Sequence, residues 1–383
     1  MAEDPLSPIF KKPFDEVIHR LDELLSQSGR AFLLGAGCSK CASLPLTAEL
    51  TEKVLADGEL DGGASAILQA IKDEFEGAEP PAHIEDYLSE LVDLTAIASR
   101  RQSRNAASQT VSIGGNDYTE PELLSAIEHI KKAVADIIGA SVNIHTHKRF
   151  VSAVNQHSAR PGKYSQAQSV DYLILNYDTL VEDSLALAQI PFSDGMEGGV
   201  CAWWNPDTFE RSDLGARVYK LHGSIDWYEI AGSTLPQRVP MRIEPSDIGQ
   251  QRILIWPAST KYRETQLDPY AQLADRARRV LNPQRGTQRV LVICGYSFGD
   301  SHINIEIERG LKASSGDLTV IAFTNEDEPA GKLKEWHEDE SITEQVLIFA
   351  NKGFFHGRDV RRSDDPLLWW QFEHITSILE GKK

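Results

Sequence analysis

Apolar residues along the chain follow two alternating rhythms. Phe14, Val17, Ile18, Leu21, Leu24 and Leu25 recur at helical spacing, which predicts an amphipathic helix over 14–28 with Gly29 as its C-cap. RAFLLGAG then reads as a short buried strand entering a glycine turn, and Leu46–Leu55 as the helix that follows. Residues 57–80 are polar and glycine-containing, end at Pro80-Pro81, and read as a connection. Two long helical stripes come next, one through Ile84, Tyr87, Leu88, Leu91 and Leu94, the other through Leu123, Ile127, Ile130, Val134 and Ile138. The polar stretch between them, SRRQSRNAASQTVSIGGNDY, reads as a mobile loop. Strand-like runs return at 171–177, 216–223, 252–256, 289–297, 318–323 and 345–350. Most are continuously apolar rather than alternating, the mark of strands covered on both faces. In the tail, SDDP at 363–366 starts a helix with Leu368, Phe372, Ile375 and Leu379 on one face.

Strand runs separated by helical patterns predict an α/β fold: a Rossmann-like, doubly wound, mostly parallel sheet carrying a helical insertion. The division expected is an N-terminal helix at 1–29, a Rossmann domain at 30–58 and 165–350, a helical insertion at 59–164 and a helical tail at 351–383. With 383 residues, 41% of them hydrophobic, a sizeable core can be buried. No apolar run approaches the roughly 18 residues of a membrane span. The N-terminus, MAEDPLSPIFKK, lacks the basic and apolar regions of a secretory signal. Cys38, Cys41, Cys201 and Cys294 are too few and scattered for a disulfide framework, which fits a reducing cytoplasm. The formal charge of −18 repels nucleic acid at long range; Arg276, Arg278 and Arg279 read as a solvated helix face. A nuclease would want a metal-binding carboxylate cluster, and the sequence offers no convincing one.

Chemistry gathers at the strand ends. Gly35, Ala36, Gly37 and Ser39 sit between a strand and a helix, where glycines let the backbone approach a phosphate and a helix N-terminus supplies N–H donors. The same turn serves equally as a tight strand–helix connection, and the third glycine of the dehydrogenase fingerprint is missing. Cys38 and Cys41 lack the second cysteine pair of a structural zinc site and read as small turn residues. Asn176 and Asp178 end one strand and point either into a ligand crevice or, for Asp178, to a helix cap. His222, before Gly223, is either a general base in an open cleft or a hydrogen-bonded structural histidine. Gly295, Tyr296 and Ser297 end a third strand and can hold phosphate or ribose oxygens; Asp300 follows as a further ligand contact or a helix cap. Asn325, at a fourth strand end, is in reach of an adenosine. His145 and His147 have no third ligand and read as exposed.

Together, GAGCS at 35–39, LNYDTL at 175–180, LHGS at 221–224 and CGYSFGD at 294–300 resemble the sirtuin family, in the same chain order. The resemblance implies NAD as substrate, with Gly35, Ala36, Gly37 and Ser39 cradling its phosphates. It places Asn176 and Asp178 beside the nicotinamide ribose, makes His222 the catalytic histidine, and has Gly295 and Ser297 hold the cofactor from the other half of the sheet. The sequence departs from the deacetylases, having no four-cysteine zinc module and CASLPLTAEL where they carry G-[IV]-P-D-F-R. The helical insertion stands in place of the zinc module, and no metal is expected. In these departures the chain looks like the bacterial anti-phage branch, whose members deplete NAD. HIEDYLSEL at 83–91 and GYSFGDSHIN at 295–304 look more narrowly like the ring-forming subunit partnered with the hexameric ATPase HerA. The expectation is an NAD glycohydrolase; the alternatives are a silent NAD- or ADP-ribose-binding scaffold, or an NAD-dependent protein deacylase or ADP-ribosyl transferase.

Overall fold

The computed structural model describes residues 6–26, 29–156, 169–230, 233, 235–240, 250–254 and 268–381. The continuous apolar runs become the middle of one sheet. β1 (Arg30–Leu34), β4 (Val170–Ile174), β8 (Ala216–Lys220), β12 (Arg289–Cys294), β13 (Leu318–Phe323) and β14 (Val346–Ala350) run parallel, and nearly every residue in them is buried. β5 (Phe192–Ser193) adds a short parallel edge; β15 (Gly353–His356) and β16 (Asp359–Arg362) close the other edge antiparallel. The order is β16-β15-β14-β13-β12-β1-β4-β8-β5. From β1 the chain goes first to β4 on one side and later to β12 on the other. β1 therefore marks the topological switch point, where ligands of open α/β sheets bind beyond the carboxyl ends of the strands.

Both faces of the sheet are covered. On one lie α1 (Asp15–Leu25), α6 (His145–Gln156), α7 (Leu180–Leu187) and α11 (Phe372–Leu379), packed around Phe32, Phe150, Tyr172 and Trp369. Phe32 meets Phe150 edge to face at 5.2 Å, and burying one such ring stabilises by about 1.5–3 kcal/mol. The other face holds α8 (Tyr270–Leu281), α9 (Ser301–Ala313) and α10 (Gly331–Glu338), with Leu273, Ile307 and Trp336 buried beneath. A small antiparallel sheet joins that core through Trp204 and Trp227; it contains β6 (Met196–Gly198), β7 (Ala202–Trp204), β9 (Gly223–Ile230), β10 (Gln237–Arg238) and β11 (Gln250–Leu254).

A third core belongs to the segment after the glycine turn. α2 (Thr47–Leu55), α3 (Gly62–Glu74), α4 (Ile84–Ser103), the hairpin β2 (Val111–Ile113) with β3 (Asn116–Tyr118), and α5 (Glu120–Ile138) bury Leu50, Leu68, Leu91 and Ile130 together. α5 starts at a capping box in which the Thr119 N–H donates to Glu122 at 2.8 Å. Tyr177, Leu180 and Ile225 enter this core from the carboxyl edge of the main sheet, so the insertion is seated directly above the switch point.

Several sequence expectations need correction. The supposed connection at 57–80 contains α3, whose buried Ala64, Ile67, Leu68 and Ile71 have helical spacing diluted by Gly62-Gly63 and polar neighbours. The supposed loop after residue 98 is the end of α4 and a hairpin turning at Gly114-Gly115, both at positive φ. Helix α1 spans Asp15–Leu25 rather than 14–28, of which 27–28 lie outside the described residues. The run at 252–256 contributes β11 to the antiparallel sheet, and its residues 255–256 lie outside the described residues. The tail is not helical throughout: β15 and β16 extend the sheet, and α11 begins at Phe372, well past SDDP. α6 buries Phe150, Val151 and Val154 in the core of the main sheet, although it falls inside the span assigned to the insertion; residues 157–164 of that span lie outside the described residues. Among the described residues no helix is long and apolar enough to cross a membrane. The arginines of α8 are balanced one by one: Arg276 by Glu210 at 2.6 Å, Arg278 by Glu306 at 3.2 Å, Arg279 by Asp275 at 2.6 Å.

Candidate active site

The two ends of the main sheet differ in kind. At the amino end, buried Asp171 of β4 accepts from Arg289 at 2.7 Å and from the Tyr219 hydroxyl at 3.3 Å, a closed ionic cluster. At the carboxyl end lies an open cleft of about 830 Å³, within the range of small-molecule sites. Gly35, Ala36, Gly37, Asn176, His222, Gly295, Tyr296, Ser297, Asp300 and Asn325 all line it. Segments far apart in the chain thus meet at one edge.

The glycine turns are packed against each other. A Cβ on Gly35 would lie 2.5 Å from the Gly295 carbonyl oxygen, and one on Gly37 would lie 2.7 Å from the Gly295 Cα. Gly295 has φ +60°, and a side chain there would strike Cys38. The turns after β1 and β12 therefore interlock backbone to backbone. The N–H groups of Gly35, Gly37 and Cys38 donate to Cys294, Gly295 and Gly35 carbonyls at 2.9–3.0 Å. The turn consequently offers an anion fewer donors than a fingerprint reading anticipates. It continues into a 3-10 helix, Ala36–Ala42, rather than directly into α2.

Ser39, expected among the phosphate-cradling residues, does not line the cleft. It is buried at 4% exposure, donates to Asp178 Oδ2 at 2.7 Å and accepts from Asn176 Nδ2 at 2.7 Å. Asn176 also donates to the Gly35 carbonyl at 3.1 Å. Both amide hydrogens of Asn176 are thereby committed, which fixes the orientation of its carboxamide at the cleft wall. Asp178 stands behind this pair. Its Oδ1 accepts the Leu180 N–H at 3.1 Å at the start of α7, and its backbone carbonyl accepts from the Lys220 ammonium. Asp178 is a capping and positioning residue rather than a wall of the cleft.

His222 follows β8 and precedes Gly223, whose φ of +82° turns the chain into β9. Its Nε2 lies 3.5 Å from Asp300 Oδ2, and its ring centroid lies 5.9 Å from that of His302. Asp300 holds the N-cap position of α9, yet its side chain makes no capping hydrogen bond; it faces the imidazoles instead. The Tyr296 hydroxyl donates within the turn, 3.0 Å from the Asp300 carbonyl and 3.1 Å from Asn304 Oδ1, while Asn304 donates to the Phe298 carbonyl at 2.7 Å. Phe298 sits at φ +59°, a strained conformation for a non-glycine residue that this lacing holds in place.

Four cleft residues escaped the sequence reading. Glu85, in the first turn of α4, lines the cleft and accepts from the Tyr177 hydroxyl at 3.1 Å; only the apolar stripe of its helix was legible. Lys40 brings an ammonium to the same cleft. Trp370 and Glu373 reach it from the tail, where the pattern spoke only of a helix face. The cysteines behave as turn residues: burial pushes the Cys41 thiol up to about 12 and raises Cys38 as well, so neither forms a ready thiolate. His147, expected to be exposed, is buried against Phe372 at a ring separation of 5.0 Å, whereas His145 is exposed.

Fold and site define a doubly wound α/β protein with a nucleotide-sized cleft at its switch point, walled by two glycine turns, a fixed carboxamide and an imidazole. Residues 172–344, a little under half of the chain, match the family model described as a SIR2-like domain. The match takes in LNYDTL, LHGS and CGYSFGD, supports a sirtuin-like family and points to NAD-related chemistry. No curated protein matches the chain.

Proposed function

We propose that this chain is an NAD glycohydrolase, cleaving NAD with water to nicotinamide and ADP-ribose. The observation that carries the reading is the meeting of Asn176 and His222 at one cleft, which the interlocked glycine turns also line, under a helical insertion in place of a zinc module. NAD is the substrate here, and the residues suit it. Ala36 and Ser297, both exposed at the turns, flank the position for the pyrophosphate, and Asn325 lies farther along the same wall, toward β13.

In the reaction the nicotinamide–ribose bond breaks with its electron pair leaving on nicotinamide, and the water oxygen bonds to the ribose carbon. His222 takes the proton released from that water or from a ribose hydroxyl. The Asn176 carboxamide, held by Ser39 and the Gly35 carbonyl, orients the ribose or the water. Asp178 acts through Ser39 rather than by contact. Replacing His222 or Asn176 by alanine is expected to lower nicotinamide release by about 10²–10⁴-fold with the fold retained. Release by His222→Ala at the wild-type rate would falsify the assignment.

The resemblance to the anti-phage branch extends the proposal to NAD depletion in bacterial defence, in a homo-oligomeric ring partnered with a HerA-type ATPase. A deacylase or ADP-ribosyl transferase would share the NAD site but release nicotinamide only with its acceptor present. A silent scaffold would bind NAD without consuming it.

A further inference from the structure

We propose that His222, Asp300 and His302 form a binding site for a divalent cation of the zinc class, and that its occupancy holds the hydrolase off. Two imidazoles and one carboxylate converge here, each offering one ligand atom, and these atoms all lie within 4.8 Å of one another. His222 Nε2 is 3.5 Å from Asp300 Oδ2, and His302 Nδ1 is 3.9 Å from Asp300 Oδ1. Ligands bound at about 2.1 Å in a tetrahedron stand about 3.4 Å apart, so a small closure of these side chains completes a three-ligand set.

The chemistry of the set selects the ion. Two nitrogens and one carboxylate oxygen suit Zn²⁺, Co²⁺ or Ni²⁺ better than Mg²⁺ or Ca²⁺, which prefer oxygen ligands. The scaffold suits a site rather than a chance meeting. Asp300 forgoes the capping bond its position invites, and the Tyr296–Asn304–Phe298 lacing ties the turn that ends at Asp300 to the start of α9, which carries His302. His222 comes from the link between β8 and β9 and is buried at 4% exposure, and two of the three residues, His222 and Asp300, line the cleft. Three protein ligands leave a fourth position open.

Binding follows from these contacts alone. Its consequence rests on the hydrolase reading: a cation on Nε2 takes the lone pair with which His222 accepts a proton. The site would then be an off-switch, set by metal and released by chelation.

The test uses the full, untagged chain treated with chelator and titrated with Co²⁺. The expected result is a ligand-field absorption band that saturates at one ion per chain and is displaced by Zn²⁺. His302→Ala and Asp300→Asn should each lose the band while keeping the wild-type circular dichroism. No band, a band that survives in both variants, or a thiolate-to-cobalt charge-transfer band placing the ion at the cysteines would overturn the site. In parallel, Zn²⁺ should suppress nicotinamide release by wild type at concentrations at least tenfold lower than for His302→Ala, each measured against its own metal-free rate. A wild-type rate indifferent to Zn²⁺ that fills the site would overturn the off-switch and leave the site standing. If the chain releases no nicotinamide at all, the hydrolase reading fails while the Co²⁺ titration still decides the site.

Discussion

Ser39 shows how position beside a glycine turn can suggest one role while packing assigns another. A hydroxyl after a glycine turn suggests a phosphate contact. Here it spans Asn176 and Asp178, partners 137 and 139 residues away, which no local pattern reveals. Ser39→Ala should leave Asp178 Oδ2 without that donor, costing about 1–3 kcal/mol of stability, and should lower kcat with little change in KM for NAD. An unchanged kcat would show that the Asn176 carboxamide needs no such support. The glycines were legible as special positions, but their main constraint is one another. Gly295→Ala must place a side chain at φ +60° against Cys38, and a loss of several kcal/mol in thermal or urea unfolding is expected, more than the ~1–3 kcal/mol of a strained backbone alone. Asn176 and His222 were legible because a polar residue closing an apolar strand run has few structural reasons to be there.

Among the elements, the central strands were the most legible, since burial on both faces leaves an unbroken apolar run. α3 and the β2–β3 hairpin were not, because glycines and charges mask short buried stripes. The strands β15 and β16 hid in the tail because each is only four residues long, β15 buried throughout and β16 mostly charged. α6 illustrates packing that spacing cannot predict: its His147 lies under α11. Burial holds the His147 imidazole down at about 4, against about 6.5 for an unfolded chain. Below pH 6.5 the unfolded chain takes up a proton that the native state refuses. This contribution to stability is therefore intact above about pH 6.5 and is lost as pH falls toward 4. Melting curves of wild type and His147→Leu across that window should converge or cross as the wild type loses stability faster; parallel curves would contradict a neutral buried imidazole.

At the scale of the whole molecule, an acidic chain binding an anionic dinucleotide is an apparent conflict. The net charge is −18, and Glu85, Asp300 and Glu373 line the cleft beside Lys40. Affinity resting on burial and on the turn donors not spent between the glycine turns, rather than on a basic patch, should survive salt, because screening weakens the general repulsion as much as any attraction. The KM for NAD is thus expected to stay level or fall as ionic strength rises; a steep rise with salt would point to lysine- or arginine-driven binding. The insertion, seated over the switch point through Tyr177, Leu180 and Ile225, makes the cleft a joint product of two cores that the linear pattern presented as separate segments.

The most direct measurement is a product balance. The purified chain, alone and with a co-purified partner, is incubated with NAD in the absence of any acyl-lysine peptide, and nicotinamide and ADP-ribose are quantified together. Both should appear in equal amounts as NAD disappears. Contradiction would be NAD that raises the melting temperature yet remains unconsumed in both preparations, or nicotinamide that appears only once an acyl-lysine acceptor is supplied.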